Sequence, residues 1–268
     1  MLKRNAPCSQ HEPSRLVELA FFAPQWMELV REHLKWKGFN EAYYYFVAHT
    51  KESDSEAKRA QIALYTDLAP EELADGAFDA RLFNEAFKLV GKKNFALFYD
   101  AAKYMGSSNY HSRARRFADV TQGLIKETEL YEQIDKTRNK DALCALGLVP
   151  LPKSKIDTAL LKRYKRIQAF LKESKQFGAQ RQTSEKRTAE IALINLARSA
   201  GYDDVIQLVW RMEGHLVADN KAMLDGLEAD GYLIRIEIAA DGTNKLIIEK
   251  DNKPLKSVPA KLKKNAVY

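Results

Sequence analysis

Only two cysteines occur in the 268 residues, Cys8 and Cys144. Two thiols so far apart make no metal-ligand or redox spacing, and they exclude a small disulfide-stapled secreted fold. Cys144 stands in the apolar run ALCALGL and is expected to be a small core residue. Long apolar runs are missing too. The best candidate, Ala42 to Ala48, is short and tyrosine-rich, far from the roughly 18 residues that a membrane span needs. The N-terminal MLKRNAPCSQHEP lacks the apolar segment of a secretory signal. The expectation is a cytoplasmic protein in a reducing setting, with no membrane partner.

Chemical motifs are equally scarce. There is no GxxxxGK[ST] phosphate loop, no GxGxxG, no HExxH and no GxSxG. Cys8, His11 and Glu12 lie close together, but they match no four-ligand zinc spacing. No catalytic residue, metal or cofactor is therefore assigned. Tyr43, Tyr44, Tyr45 and Phe46 are adjacent rather than alternating, so they do not form the stacking platform of an RNA-binding sheet.

What remains is the composition of an ordinary globular chain, 46% hydrophobic and 29% charged, long enough to bury a substantial core. Its centre is Gln180 to Gly214, read as two helices with a tight break. Ser184 is the expected cap of the first, Gly201 its end, and Asp203 or Asp204 the start of the second. Ile191, Ile194, Leu196 and Ala197 give one apolar stripe. Val205, Leu208, Val209, Met212 and Leu216 give another at i, i+3, i+4, i+7 spacing.

Towards the N-terminus the pattern predicts helices from Ser14, from Pro24 to Gly38, from Asn40, and from Ser53–Ser55 onwards. Tyr43, Tyr44, Phe46 and Val47 are expected in the core. Further helices are predicted around Pro70, up to Gly91, up to Gly106, from His111 to Ile134 with a break near Gly123, and from Lys140 to Gly147. The segment VPLPKS is the best linker candidate. A long basic helix then runs from Ile156 to Phe177. Beyond Gly231 the segments YLIRIEI and KLIIEK, with Asp241-Gly242 between them, predict a β-hairpin over 232–250 that pairs Ile234, Ile236 and Ile238 with Leu246 and Ile248. The fold class is mainly α: an irregular multi-helix array, helical-hairpin or HEAT-like, with a small C-terminal β-hairpin. The division expected is a helical region 1–148 and a basic region 149–268, with one continuous domain as the alternative. The basic end, KPLKSVPAKLKKNAVY, finishes as though another helix were starting, so a longer natural protein is expected.

Charge is unevenly placed. Residues 1–150 carry 21 basic and 21 acidic side chains, so the net charge of +7 lies entirely beyond them. Lys153 to Arg187 alone holds 11 basic and 3 acidic residues. Within it, Leu160, Tyr164, Ile167, Phe170 and Leu171 mark an apolar face, and Lys162, Arg163, Lys165 and Arg166 fall largely on the other. Such a stretch is either a solvated helix face or an attractor of phosphate backbones. Tyr110-His111-Ser112-Arg113 with Arg115 and Arg116 is a second constellation. Arg113 and Arg116 share one helix side and His111 and Arg115 another; His111, Arg113 and Arg116 are candidate anion ligands at a helix start, or else part of a surface paired with acidic residues of neighbouring helices. His215 and Glu213, two apart on a helix, face different ways and form no dyad.

The run LKRYKRIQAFLKESKQFGAQRQTSEKRTAEIALINLARSAGY, followed by VWRMEG and KPLKSVPAKLKKN, resembles the large MolR-like bacterial proteins, the molybdate-metabolism-regulator-like group with a domain of unknown function of the DUF4132 type. NAPCSQHEPSRLVELAFFAPQW, FVAHTKE, DAAKYMGSSNYHSRARRFAD and LGLVPLPKS are similar to other segments of it. The resemblance implies an internal fragment of a long cytoplasmic protein and carries over no catalytic residue. Some such proteins hold a tryptophan-glycine-arginine module, which has no counterpart here.

Three readings stay open. The first is a helical scaffold or protein-interaction segment, its partners other proteins or the remainder of a longer chain. The second is nucleic-acid binding through Lys162, Arg163, Lys165, Arg166 and the tail lysines. The third is an enzyme completed by further sequence, drawing on His111, Arg113, Arg116 and His215; it requires at least two of these in one cleft.

Overall fold

Prolines and short polar side chains set most helix starts. The computed structural model describes residues 12–50, 55–106, 111–238, 244–255, 257–259 and 262. Pro13 takes the first turn of α1 (Pro13–Phe22), and Pro24 opens a 3-10 turn that runs into α2 (Met27–Leu34). There the structure departs from the expected boundaries. Helix α2 ends at Lys35 in the left-handed region (φ 52°), and Gly38 is the residue before α3 (Phe39–Ala48) rather than the end of α2. Asn40 lies inside α3, where its Nδ2 donates to Tyr65 Oη at 2.9 Å instead of capping the helix. Ser55 caps α4 (Glu56–Ile62) by accepting from the Lys58 N–H; Ser53 lies outside the described residues. Pro70 and two acidic residues form the first turn of α5 (Pro70–Asp75), suited to the positive end of the helix. Asp79 Oδ1 then caps α6 (Ala80–Ala101) at the Leu82 N–H, 2.9 Å.

Helix α6 breaks where the sequence predicts, at Gly91. The residue sits at φ 75°, ψ 154° inside an otherwise continuous run. That region is open to glycine and strained for any residue with a Cβ. Gly91→Ala is expected to cost about 1–3 kcal/mol. Urea unfolding measures it, and an unchanged midpoint would mean that the break is not a fixed feature of the native state.

Seven more helices follow among the described residues. They are α7 (Ser112–Thr121), α8 (Glu127–Thr137), α9 (Lys140–Leu146), α10 (Ile156–Glu173), α11 (Ala179–Ser199) and α12 (Val205–Asp219), before a short α13 (Lys221–Asp225). Gly123, at φ 73°, separates α7 from α8 as expected. Asn139 caps α9, which ends before Gly147. Ser184 does not cap α11, because the helix already begins at Ala179 behind Gly178. Its far end is as predicted. Tyr202 N–H reaches the Ala197 carbonyl and Gly201 N–H the Arg198 carbonyl, the paired closure that needs a left-handed residue at position 201 (φ 80°). Asp204 Oδ1 accepts from Ile206 N–H and starts α12.

The chain divides into two compact units, 1–208 and 209–268, a division that falls inside α12. In the first unit the aromatic helix α3 is buried on every side from Ala42 to Ala48, as a helix apolar all round must be. It packs on α6. Tyr43 stacks on Phe21 of α1 at 4.9 Å, and Tyr45 Oη donates to the Ala114 carbonyl of α7 at 2.9 Å. Helix α11 is a second hub. It contacts α5, α9 and α10 and buries Ala189, Ile191, Ala192, Leu196 and Ala197. Cys144 is buried as predicted.

The second unit holds a four-stranded antiparallel sheet in the order β1 (Leu227–Ala229), β2 (Tyr232–Ile238), β3 (Asn244–Lys250), β4 (Lys253–Pro254). The predicted hairpin is its centre, with Ile234 opposite Ile248 and Ile236 opposite Leu246. The Asp241-Gly242 turn lies outside the described residues. The two flanking strands are additions to the predicted hairpin. They fold back through Asp230-Gly231 and Asp251-Asn252, all four at positive φ, the pattern of two-residue hairpin turns. Ile234 and Ile248 bury one face against Leu262, Tyr232 and Val258. The fold is mainly α with a small C-terminal sheet. Among the described residues no helix is long and apolar enough to cross a membrane.

Candidate functional site

The polar side chains converge on a short stretch, residues 73–79, where α5 ends and α6 begins. Three helices each send one buried group to its backbone. Arg113 of α7 donates Nη1 to the carbonyls of Leu73 (3.3 Å) and Ala74 (2.5 Å), and its Nε to Asp141 Oδ1 of α9 (3.0 Å). A cation at the negative end of α5 is favourably placed. Asn195 of α11 accepts from Phe78 N–H at 2.9 Å and donates to the carbonyls of Gly76 and Cys144. His49, at the end of α3, donates Nδ1–H to the Tyr45 carbonyl (2.7 Å), which leaves Nε2 to accept from Asp79 N–H (3.2 Å). Burial lowers the His49 imidazolium to about 4, although the Tyr45 hydrogen bond and Asp79 oppose the shift. This histidine is neutral and fully engaged.

Beside that stretch opens a cleft of about 620 Å3 lined by α5, α7, α9 and α11. Its walls pair their own charges. Arg187 Nε meets Asp75 Oδ2 at 2.7 Å, Arg113 meets Asp141 at 3.0 Å, and Lys140 Nζ donates to Ser184 Oγ at 2.5 Å. The serine and lysine do not form a nucleophile and base. A base lysine must be desolvated, whereas this one is exposed and acts as donor. The charged groups of the cleft are thus satisfied by one another.

Of the predicted anion ligands, Arg113 lines the cleft. Arg113 and Arg116 do share a helix side, and both address the start of α9: Arg116 Nη1 donates to Asn139 Oδ1 at 3.0 Å. His111 is the residue preceding α7. Each arginine already holds a protein acceptor. His215 belongs to the second unit. Among the described residues, no group of three or more His, Cys, Asp or Glu side chains is placed to hold a metal ion.

The basic stretch is arranged differently from the solvated face that its sequence suggests. Arg163 is 1% exposed. It donates to Glu127 Oε2 (3.1 Å) and to the carbonyls of Val149 (2.6 Å) and Pro150 (3.3 Å). The proline-rich connection thus has its carbonyls closed by α10. Lys162 also pairs with Glu127, and Arg166 with Asp135 and Glu173. Lys165 is exposed. Burial alone would raise the Glu127 carboxyl, yet Lys162 and Arg163 together hold it below its ordinary value.

A third polar centre has no counterpart among the sequence expectations. Arg138, left-handed at the end of α8 (φ 50°), donates to both oxygens of Glu185 (3.1 and 2.7 Å), to Glu173 Oε2 (2.7 Å) and to the Phe170 carbonyl. Its guanidinium lies 4.0 Å from the Phe170 ring centroid. Glu185 is 1% exposed and also accepts from Arg181. Burial pushes its carboxyl up, but the bonds from Arg138 and Arg181 outweigh this and hold it down at about 2. The spacing of Glu185, Thr188, Ala189, Ala192, Asn195 and Leu196 places the glutamate on the buried stripe, a signal present in the sequence.

A family of unknown function, DUF5724, matches residues 1–212. No curated protein and no solved structure matches the chain.

Proposed function

The chain belongs to the DUF5724 family, and we propose that it serves as a helical scaffold or protein-interaction segment of a larger cytoplasmic bacterial protein of the MolR-like group. One observation carries the reading. The polar groups that could act on a ligand are bonded between helices, as with Arg113, Arg138, Arg163 and Asn195, while several bulky apolar side chains face solvent. Phe22, Leu64 and Leu124 are 74%, 73% and 66% exposed in the first unit, and Trp210 is 73% exposed in the second. Scattered apolar side chains are ordinary on a protein surface, but Phe22 and Trp210 are of the aromatic type that protein contacts favour. The likeness of residues 161–202 to MolR-like proteins supports the larger setting.

The test is crosslinked affinity capture from the native host, comparing the chain with a Phe22→Asp, Leu64→Asp, Leu124→Asp variant. Specific partners retained by the first and lost by the second are expected, with circular dichroism unchanged. Identical captures, or none from either, would remove the interaction reading.

Nucleic-acid binding has one observation in its favour, the excess positive charge beyond residue 150. Against it stand the acidic partners of Lys162, Arg163 and Arg166, which offset part of their charge. Fluorescence anisotropy against single- and double-stranded nucleic acid decides between the two. No binding at low salt is expected. Binding that falls steeply with salt, as counterion release requires, would overturn the preference.

A further inference from the structure

The break at Gly91 in α6 has an opening beside it that the polar centres above do not use. Phe87, before the break, and Phe95, Ala96 and Tyr99, after it, wall a pocket of about 330 Å3. Leu124, from the connection between α7 and α8, closes one side, and Asp119 of α7 lines it. The volume is at the small end of ordinary ligand clefts, and an apolar wall with a few fixed polar groups is how such clefts are built. Phe87 and Phe95 pack edge to face at 5.2 Å, so two walls are held by each other.

The polar part is specific. Tyr99 Oη donates to Asp119 Oδ2 at 2.7 Å. The Arg115 guanidinium carbon lies 4.2 Å from the Tyr99 ring centroid, over the ring face. The side chains lining the pocket include two carboxylates, Asp100 and Asp119, against one ammonium, Lys92. The lining is therefore net negative. Burial raises the Asp119 carboxyl above its ordinary value, against the Tyr99 bond and the Arg115 charge.

We propose that this pocket binds a small molecule with an aryl or alkyl body and a primary ammonium group. The body lies against Phe87, Phe95, Ala96 and Tyr99, and the ammonium donates to the Asp119 carboxylate. Such a ligand covers the apolar wall and gives the Asp119 carboxylate a second donor beside Tyr99. An anion is disfavoured by the two carboxylates. A neutral molecule of the same shape fills the wall but leaves Asp119 as it is.

The experiment titrates the full chain with 2-phenylethylamine, 2-phenylethanol and 3-phenylpropanoate, following side-chain NMR shifts of Ala96 and Leu124. The amine is expected to saturate at least about tenfold more tightly than the alcohol, about 1.4 kcal/mol for one added ionic hydrogen bond. The carboxylate is expected not to bind. Asp119→Asn keeps an acceptor for Tyr99 and should bring the amine to the level of the alcohol. Ala96 is exposed on its helix, so Ala96→Trp fills the pocket without entering the core and should abolish both. The proposal is overturned if no probe saturates, if the amine and carboxylate bind alike, or if Ala96→Trp leaves amine binding intact. The tryptophan variant keeps the proposal testable should Asp119→Asn fail to fold.

Discussion

Arg138→Leu lowers the unfolding free energy by about 3–5 kcal/mol, the usual cost of stranding one member of a buried ion pair. Glu185 is the member stranded. Its side chain is 1% exposed, and Arg138 reaches both of its oxygens. Without Arg138 the carboxylate keeps a bond from Arg181, whose side chain is 49% exposed, and loses its principal countercharge. The Phe170 carbonyl loses a donor as well. Glu185→Leu strands Arg138 in turn, but less severely, because Glu173 still holds one of its nitrogens. The double variant Arg138→Leu, Glu185→Leu is expected to lose less than Arg138→Leu alone, since no uncompensated charge remains inside. Urea denaturation of the three variants completes the cycle. A loss below about 1 kcal/mol for Arg138→Leu would mean that the pair behaves as an exposed one and that the helices α8, α10 and α11 are held together by apolar packing alone.

The elements that the sequence predicts best are those fixed by local chemistry. Gly147 stops α9, Gly123 parts α7 from α8, Gly201 closes α11 and Asp204 opens α12. Each acts on its own backbone within a few residues, so a single sequence carries the signal. Boundaries that depend on distant packing are less legible. Gly38 has the local character of a helix end, but a Cβ there would lie 2.4 Å from Leu89 Cβ of α6, so a long-range approach sets its place before α3. Arg163 is solvated by residue type, although its spacing with Leu160, Tyr164, Ile167 and Phe170 puts it on the apolar face. Position outweighs type when carbonyls such as those of Val149 and Pro150 stand ready to receive a guanidinium. The Tyr99–Asp119 pair is not legible at all. Its members lie 20 residues apart on helices whose meeting the sequence pattern does not specify. The same holds for Asn195, which joins residues 117 and 119 positions away from it.

His49 gives the second large effect, and it appears as a dependence on pH. The side chain is 0% exposed, and burial, its largest influence, lowers the imidazolium from 6.5 to about 4. The charge of Arg113 pushes the same way, while Asp79 and the Tyr45 carbonyl oppose. Above pH 6.5 the ring is neutral in both folded and unfolded chains and contributes nothing to the slope. Between pH 6.5 and 4 the unfolded chain takes up a proton that the native state refuses, so stability falls as pH falls. By pH 4 the loss approaches about 3 kcal/mol, at about 1.36 kcal/mol for each pH unit crossed in that interval. Glu185 acts in a lower window. Its carboxyl is held at about 2 against 4.5, so its contribution is complete above pH 4.5 and fades from there towards pH 2. The two windows barely overlap, which makes them separable. Unfolding free energies from pH 8 to pH 4 should decline below 6.5 in the native chain. His49→Gln removes the titrating ring and should flatten that decline, even though lost contacts with Phe78 and Tyr45 lower its stability at pH 8. An equal slope in both proteins would assign the acid sensitivity to other groups and show that protonated His49 is accommodated, which requires water or a carboxylate to reach it through the 73–79 stretch. A difference in slope confined to the interval between 6.5 and 4 would assign the acid sensitivity of that interval to His49.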